Sequence, residues 1–144
     1  MGPPDGPTNE NAFIWQRRIY YDDTDAGGVV YHSNYLTLME QARTEWLRHL
    51  GYEQRVLIEE DTLFAVTHID VRFLAPARLD DMVDVTVQRP ITVRPVRLIL
   101  HQTIQRPNGE KILIDATVQI ACISTSFRPK KIPKPMLERM QPWI

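Results

Sequence analysis

A single change of hydrophobic period constrains this chain more than any other feature. Over residues 34–50, Tyr35, Leu38, Met39, Ala42, Trp46 and Leu50 recur at helical spacing, while Glu40, Arg43, Glu45 and Arg48 fill other faces. Leu36 and Leu47 widen the apolar stripe, so this helix is expected to be mostly surrounded by protein. Gly51 suits a C-terminal cap, and the side-chain oxygen of Ser33 or Asn34 suits the N-terminal one. Beyond the helix the period drops to two. Ala65, Thr67, Ile69, Val71 and Phe73 alternate with His68, Asp70 and Arg72, and Val83, Val85 and Val87 alternate with Asp84, Thr86 and Gln88. Val96, Leu98, Leu100 and Ile104 follow, then Ile112, Ile114, Ala116, Val118, Ile120 and Cys122. These are strands with one dry face. Pro107-Asn108-Gly109 predicts a hairpin between the last two, and Pro76 with residues 79–81 marks another turn.

Residues 13–21 mix β-branched and aromatic side chains and read as one strand before the helix. One strand, one long helix and four strands with mainly local connections disfavour a parallel doubly wound sheet, in which helices alternate with strands. The expectation is an α+β domain over residues 13–144, an antiparallel sheet packed around one helix. Residues 1–12, rich in Pro, Gly and polar side chains, are expected to form a mobile tail without chemistry.

Composition narrows the possible partners. Seventeen basic against eighteen acidic side chains give a net charge of -1, which supplies no field to hold a nucleic-acid backbone. The single cysteine, Cys122, permits neither a disulfide framework nor a multi-cysteine zinc site, and it sits in an apolar alternation that suits packing better than nucleophilic attack. No window approaches the roughly 18 apolar residues needed to span a bilayer, and MGPPDGPTNENAF lacks the basic start and apolar stretch of a secretory signal. A soluble cytoplasmic protein is expected.

Functional groups are densest in Tyr21-Asp22-Asp23-Thr24-Asp25-Ala26-Gly27-Gly28-Val29-Val30-Tyr31-His32, between a strand and a helix start. Gly27 and Gly28 free the backbone and leave room for a ligand, and the helix that follows points its N–H groups and positive dipole end back at the loop. On composition alone these residues also read as ordinary turn chemistry, with Asp22 and Asp23 solvated, Asp25 bonded to the loop backbone and His32 structural. A calcium loop fits poorly. With Asp23 at position 1, Gly28 falls at the required glycine, but Gly27 occupies position 5 and Asn34 stands where a bidentate Glu is needed. GxSxG, Walker A and GxGxxG patterns are absent, and His32, His49, His68 and His101 lack HExxH spacing. No cofactor or metal is expected.

The stretch IYYDDTDAGGVVYHSNY over residues 19–35, followed by EQARTEWLR, resembles the YbgC-type acyl-CoA thioesterases of the 4-hydroxybenzoyl-CoA thioesterase superfamily. The likeness continues through VRFLAPARLDD at residues 71–81 to the Pro-rich end. It implies a hotdog fold, hydrolysis of acyl-CoA to a carboxylic acid and CoA, and active sites where two subunits meet in a homodimer or homotetramer. By position it places the catalytic aspartate on Asp25, the histidine of VVYH on His32 and the tyrosine before the loop on Tyr21; Asp22 stands where relatives often carry Glu. It leaves acyl carrier protein open as an alternative carrier and, through the Tol-Pal-associated group, implies a bacterial cell-envelope or phospholipid context. On this resemblance Asp25 attacks the acyl carbon or takes a proton from water, and backbone N–H groups around Tyr31, His32 and Ser33 receive the oxyanion. CoA phosphates call for cations, for which Arg128, Lys130, Lys131 and Lys134, or Arg89, Arg94 and Arg97, are candidates; the basic stretch reads equally as a solvated surface, and none is singled out as a ligand. Two other readings stand beside it. A non-catalytic acyl-CoA or acyl-carrier-protein binding module would not need Asp25 and His32 together, and a dehydratase on the same scaffold would need a histidine well inside the helix, where only His49 lies near the end.

Overall fold

A computed structural model describes residues 11–144; residues 1–10, most of the expected tail, lie outside the described residues. The elements are β1 (Ala12–Arg18), α1 (Asn34–His49), α2 (Gln54–Glu59), β2 (Leu63–Phe73), β3 (Met82–Gln88), β4 (Thr92–Arg94), β5 (Arg97–Gln105), β6 (Ile112–Ile123) and α3 (Lys134–Met140). Six strands form one antiparallel sheet in the order β1-β3-β5-β6-β2, with β4 paired to β5. The expected α+β sheet around a long helix is what the chain forms. Its inner face is set by the alternation: Val83, Val85 and Val87 of β3, Leu98, Leu100 and Ile104 of β5, and Ala116, Val118 and Ile120 of β6 are buried, and Leu38, Met39, Ala42 and Trp46 of α1 pack against them. Burying each such aliphatic side chain is worth about 1.5–3 kcal/mol.

Several boundaries differ from the sequence reading. Ala12 is buried and paired in β1, so ordered structure begins ahead of Phe13. The expected strand over 13–21 stops at Arg18, and Tyr21–Asp23 instead form one 3-10 turn. Neither Ser33 nor Asn34 caps α1 through a side-chain oxygen, because Asn34 spends its side-chain amide on Asp23. The other end behaves as expected. Gly51, at φ +98°, lets its own N–H reach Arg48 O (2.9 Å) and the Tyr52 N–H reach Leu47 O (2.9 Å), closing the helix as a Schellman motif. The β5–β6 hairpin is present with Asn108 and Gly109 both at positive φ (64° and 70°). The connections are less local than expected: β2 lies at the sheet edge beside β6, so the segment after Phe73 crosses to β3 on the far side of β5.

Two core residues position the loop that carries the candidate chemistry. Ile19 is fully buried just after β1 and Val30 is buried just before α1, both in the cluster around Tyr35, Leu38 and Met39. The chain between them is thereby held at both ends by the core and projects past the start of α1.

Candidate active site at the start of the long helix

The loop is a small ladder tied to the β2–β3 crossover. Thr24 and Val30 form an antiparallel bridge, Val29 bridges Arg78, and N–H groups of Val30 and Leu79 donate to Ala77 O (2.9 Å) and Gly28 O (3.0 Å). Inside it, Asp25 N–H donates to Val29 O (2.9 Å) and Gly28 N–H to Asp25 O (3.1 Å), which requires Gly28 at φ +77°.

The three aspartates of the loop have different surroundings. Asp23, 7 % exposed, is its buried hub. Its carboxylate accepts from Arg17 Nη1 (2.6 Å) and Nη2 (3.3 Å), from Tyr20 N–H (2.8 Å) and from Asn34 Nδ2 (2.9 Å). Burial pushes its pKa up, but the hydrogen bonds from Arg17, Tyr20 N–H and Asn34 outweigh that and hold it below the ordinary carboxylate value. The sequence reading of Asp23 as a solvated turn former is therefore overturned. Asp25 is exposed, and its Oδ1 accepts the Gly27 N–H at 2.7 Å, which fixes the carboxylate against the loop backbone. Asp22 is exposed as expected.

Of the other predicted residues, Tyr21 is 79 % exposed, and its carbonyl accepts from the Thr24 hydroxyl (2.8 Å) and N–H (3.0 Å). The His32 ring packs on Tyr31 with centroids 4.4 Å apart. Among the described residues no hydrogen bond joins Asp25 to the side chain of His32 or Tyr21. What lies beside His32 is backbone chemistry. Tyr31 N–H is taken by Asp23 O (3.2 Å) and Asn34 N–H by Tyr31 O (2.8 Å), while the N–H groups of His32 and Ser33 have no hydrogen-bond partner among the described residues. Of the three amides expected to be available, two are. They sit at the N-terminus of a 16-residue helix, where the macrodipole adds to their positive end.

Next to them a cleft of 340 Å³ opens between the start of α1 and the end of β2, lined by Val30, His32, Tyr35, Phe73 and residues 74–76. Tyr35, which sequence reading assigned only to packing, also accepts the Ala77 N–H on its phenol oxygen at 3.0 Å, joining helix to crossover. Arg17 and Asn34 were likewise unseen as partners of Asp23, since nothing in their spacing names one carboxylate over its neighbours. Two of the expected phosphate ligands are occupied elsewhere: Lys130 Nζ donates to Glu60 O (3.0 Å), Asp61 O (2.8 Å) and Thr62 Oγ1 (2.9 Å), and the Arg89 guanidinium lies 3.8 Å over the Trp143 ring. Among the described residues, no three His, Cys, Asp or Glu side chains come together as a metal site, and no helix is long and apolar enough to cross a membrane.

Residues 20–140 match the model of the thioesterase-like superfamily. An acyl-CoA thioester hydrolase YbgC of Escherichia coli is 43% identical over 129 residues, covering 88% of this chain and 93% of that one. An acyl-CoA thioesterase YbgC of Haemophilus influenzae is 39% identical over 127 residues, covering 87% and 91%. Among solved structures, a probable thioesterase from Bartonella henselae superposes with a TM-score of 0.78 at 33% identity, over 85% of this chain and 99% of that one.

Proposed function

The chain belongs to the thioesterase-like superfamily, and from this we propose that it is an acyl-CoA thioesterase that works through Asp25 and the unpaired amides at the start of α1. The observation that carries the mechanism is the pair of vacant N–H groups at His32 and Ser33, beside an apolar cleft and on the same loop-to-helix unit as an exposed carboxylate. Attack on a thioester carbonyl makes its oxygen negative, and two fixed amides at a helix N-terminus stabilise that charge; one such donor typically contributes roughly 2.7–4 kcal/mol.

Asp25 supplies the other half by one of two routes. As a general base it takes a proton from water, whose oxygen bonds to the acyl carbon; the carbon–sulfur bond then breaks and the CoA thiolate takes the proton back. As a nucleophile the carboxylate itself displaces the thiolate, giving a mixed anhydride that water opens. Single turnover in ¹⁸O-labelled water separates them, since only the anhydride route carries label into the Asp25 carboxylate. His32 orients the thioester through its ring, and Tyr21 supports the loop.

Asp25 and the cleft both face solvent, which favours a site completed by a second copy in a homodimer or homotetramer. The protein acts in the cytoplasm on thioesters of CoA, with acyl carrier protein as the alternative carrier. The deciding experiment is Asp25→Asn assayed by thiol release. The amide oxygen of Asn can still accept the Gly27 N–H, so the fold should survive while activity falls about 10²–10⁴-fold. Turnover near the wild-type rate would refute the assignment, and acyl-CoA binding without turnover in the wild type would favour a non-catalytic binding module instead.

A further inference from the structure

A separate cavity of 150 Å³ lies between the middle of α1, α2 and the sheet, and its walls come from five elements of one copy of the chain. Leu98 and Leu100 of β5, Ile120 of β6, Phe64 and Val66 of β2 and Trp46 of α1 make it largely apolar. Arg43 brings a cation to that space. It follows Ser33 by ten residues on the same helix, which at 1.5 Å per residue is about 15 Å from the vacant amides.

The Arg43 guanidinium is held in place without being neutralised. Its Nη1 donates to Gln102 Oε1 at 2.9 Å. Gln102 is itself fully buried and locked, because its amide donates to Met39 O (3.1 Å) and Thr86 O (3.2 Å). The other N–H groups of Arg43 make no hydrogen bond or ion pair among the described residues. Burial pushes its pKa below the ordinary value, and the charge of Glu40, one turn back, offsets only part of that. A cation deprived of water and of a close counter-charge is unfavourable until an anion joins it.

We propose that this cavity binds a free short-chain monocarboxylate, which pairs with the unused N–H groups of Arg43 and lays its hydrocarbon tail against Leu98, Leu100 and Ile120. A guanidinium matches a carboxylate with two parallel N–H···O bonds. Inorganic phosphate meets the same cation but leaves the apolar walls uncovered. A cavity of about 150 Å³ takes a molecule the size of benzene, which sets the tail at about four to six carbons. Glu40 also lines the cavity, but it is exposed, so solvent screens its repulsion of the ligand. The site goes beyond the thioesterase reading and does not depend on it.

The test is thermal unfolding of the full chain in sodium salts at constant ionic strength, with titration calorimetry for the hexanoate Kd; neither readout needs turnover. Hexanoate at about tenfold over its Kd should raise Tm by about 4 °C. Chloride, acetate, inorganic phosphate and the neutral hexanamide, at the same concentration, should each leave Tm within about 1 °C. Arg43→Met should weaken hexanoate binding about tenfold or more, and Arg43→Lys should recover part of it. Glu40→Gln, which removes the opposing charge, should tighten it about two- to fivefold. Hexanamide acting as well as hexanoate, or hexanoate acting no better than chloride, would overturn the proposal. So would Arg43→Met binding hexanoate like the wild type, which would place the acid at the amides of α1 instead. If circular dichroism shows that Arg43→Met does not fold, the hexanamide comparison and Glu40→Gln decide, and binding unchanged in Glu40→Gln ends the proposal.

Discussion

Asp23→Ala should unfold this protein far more readily than any change at Asp25, although the two residues are nearly adjacent. Asp23 accepts from both guanidinium nitrogens of Arg17, from the Tyr20 N–H and from the Asn34 side chain, and it is buried. Truncation leaves Arg17, itself largely covered, without its counter-charge, and it strands an amide donor at each end of the loop. Removing one partner of such a pair costs about 3–5 kcal/mol, most of it from the group left behind. For a chain of this length that is a fall of roughly 10 °C in Tm. Asp25→Asn should stay within about 0.5 kcal/mol of wild type, because Asp25 is exposed and its single hydrogen bond survives in the amide. Urea denaturation followed by circular dichroism, on both variants and the wild type, gives the comparison. An Asp23→Ala variant within about 1 kcal/mol of wild type would refute the assignment of Asp23 as the loop's anchor.

Gly27→Ala should separate geometry from stability at the catalytic carboxylate: a Cβ there stands 3.2 Å from Asp25 Oδ1, so the carboxylate must shift by a few tenths of an ångström. We expect about a tenfold fall in kcat with an unchanged melting curve, and full activity would show that the position of Asp25 is unimportant. His32→Ala removes the ring but keeps the backbone N–H, so thiol release should fall about tenfold or less; a loss as large as that of Asp25→Asn would move the main role from the amide to the imidazole. Acid should weaken the fold through Asp23 and Asp81. Burial raises the pKa of each, but bonds from Arg17, Tyr20 N–H and Asn34 at Asp23, and from Arg106 and Arg78 N–H at Asp81, lower both overall. Their stabilisation is therefore complete above the unfolded carboxyl value of about 3.9 and is lost as pH falls through the lower folded values. Denaturation between pH 6 and pH 3 should show that decline, and less of it in Arg17→Ala; a flat profile would contradict it.

The sequence made some parts of this molecule legible and hid others for physical reasons. The 16-residue helix and its Gly51 end were readable because helical spacing repeats over four turns and a positive φ needs glycine. The faces of the strands were readable because alternation fixes them. Strand order was not, since alternation says which side is dry and nothing about neighbours; the crossing from β2 to β3 therefore went unseen. β4 spans three residues, α2 six and α3 seven, too short for a period to declare itself. At the site, the family motif pointed to Asp25, His32 and Tyr21, whereas the choice of Asp23 for burial depends on Arg17, on another element, and on Asn34, eleven residues further on.

Asp23 also ties the strand before the loop to the helix start beside the vacant amides. Its side chain binds Arg17 at the end of β1, the Tyr20 N–H at the loop entrance and Asn34 at the first residue of α1, while its own carbonyl takes the Tyr31 N–H. A free helix N-terminus would place a Ser, Thr or Asn oxygen over its unpaired donors. Here Asn34 turns its amide toward Asp23, and the Ser33 side chain makes no capping hydrogen bond. A cap of that kind serves the N–H groups of Tyr35 and Leu36; those of His32 and Ser33 lie ahead of the first helical residue and have no hydrogen-bond partner among the described residues. The result is a pair of donors with no acceptor among the described residues. Such an arrangement stabilises an incoming oxyanion without first breaking a bond within the protein.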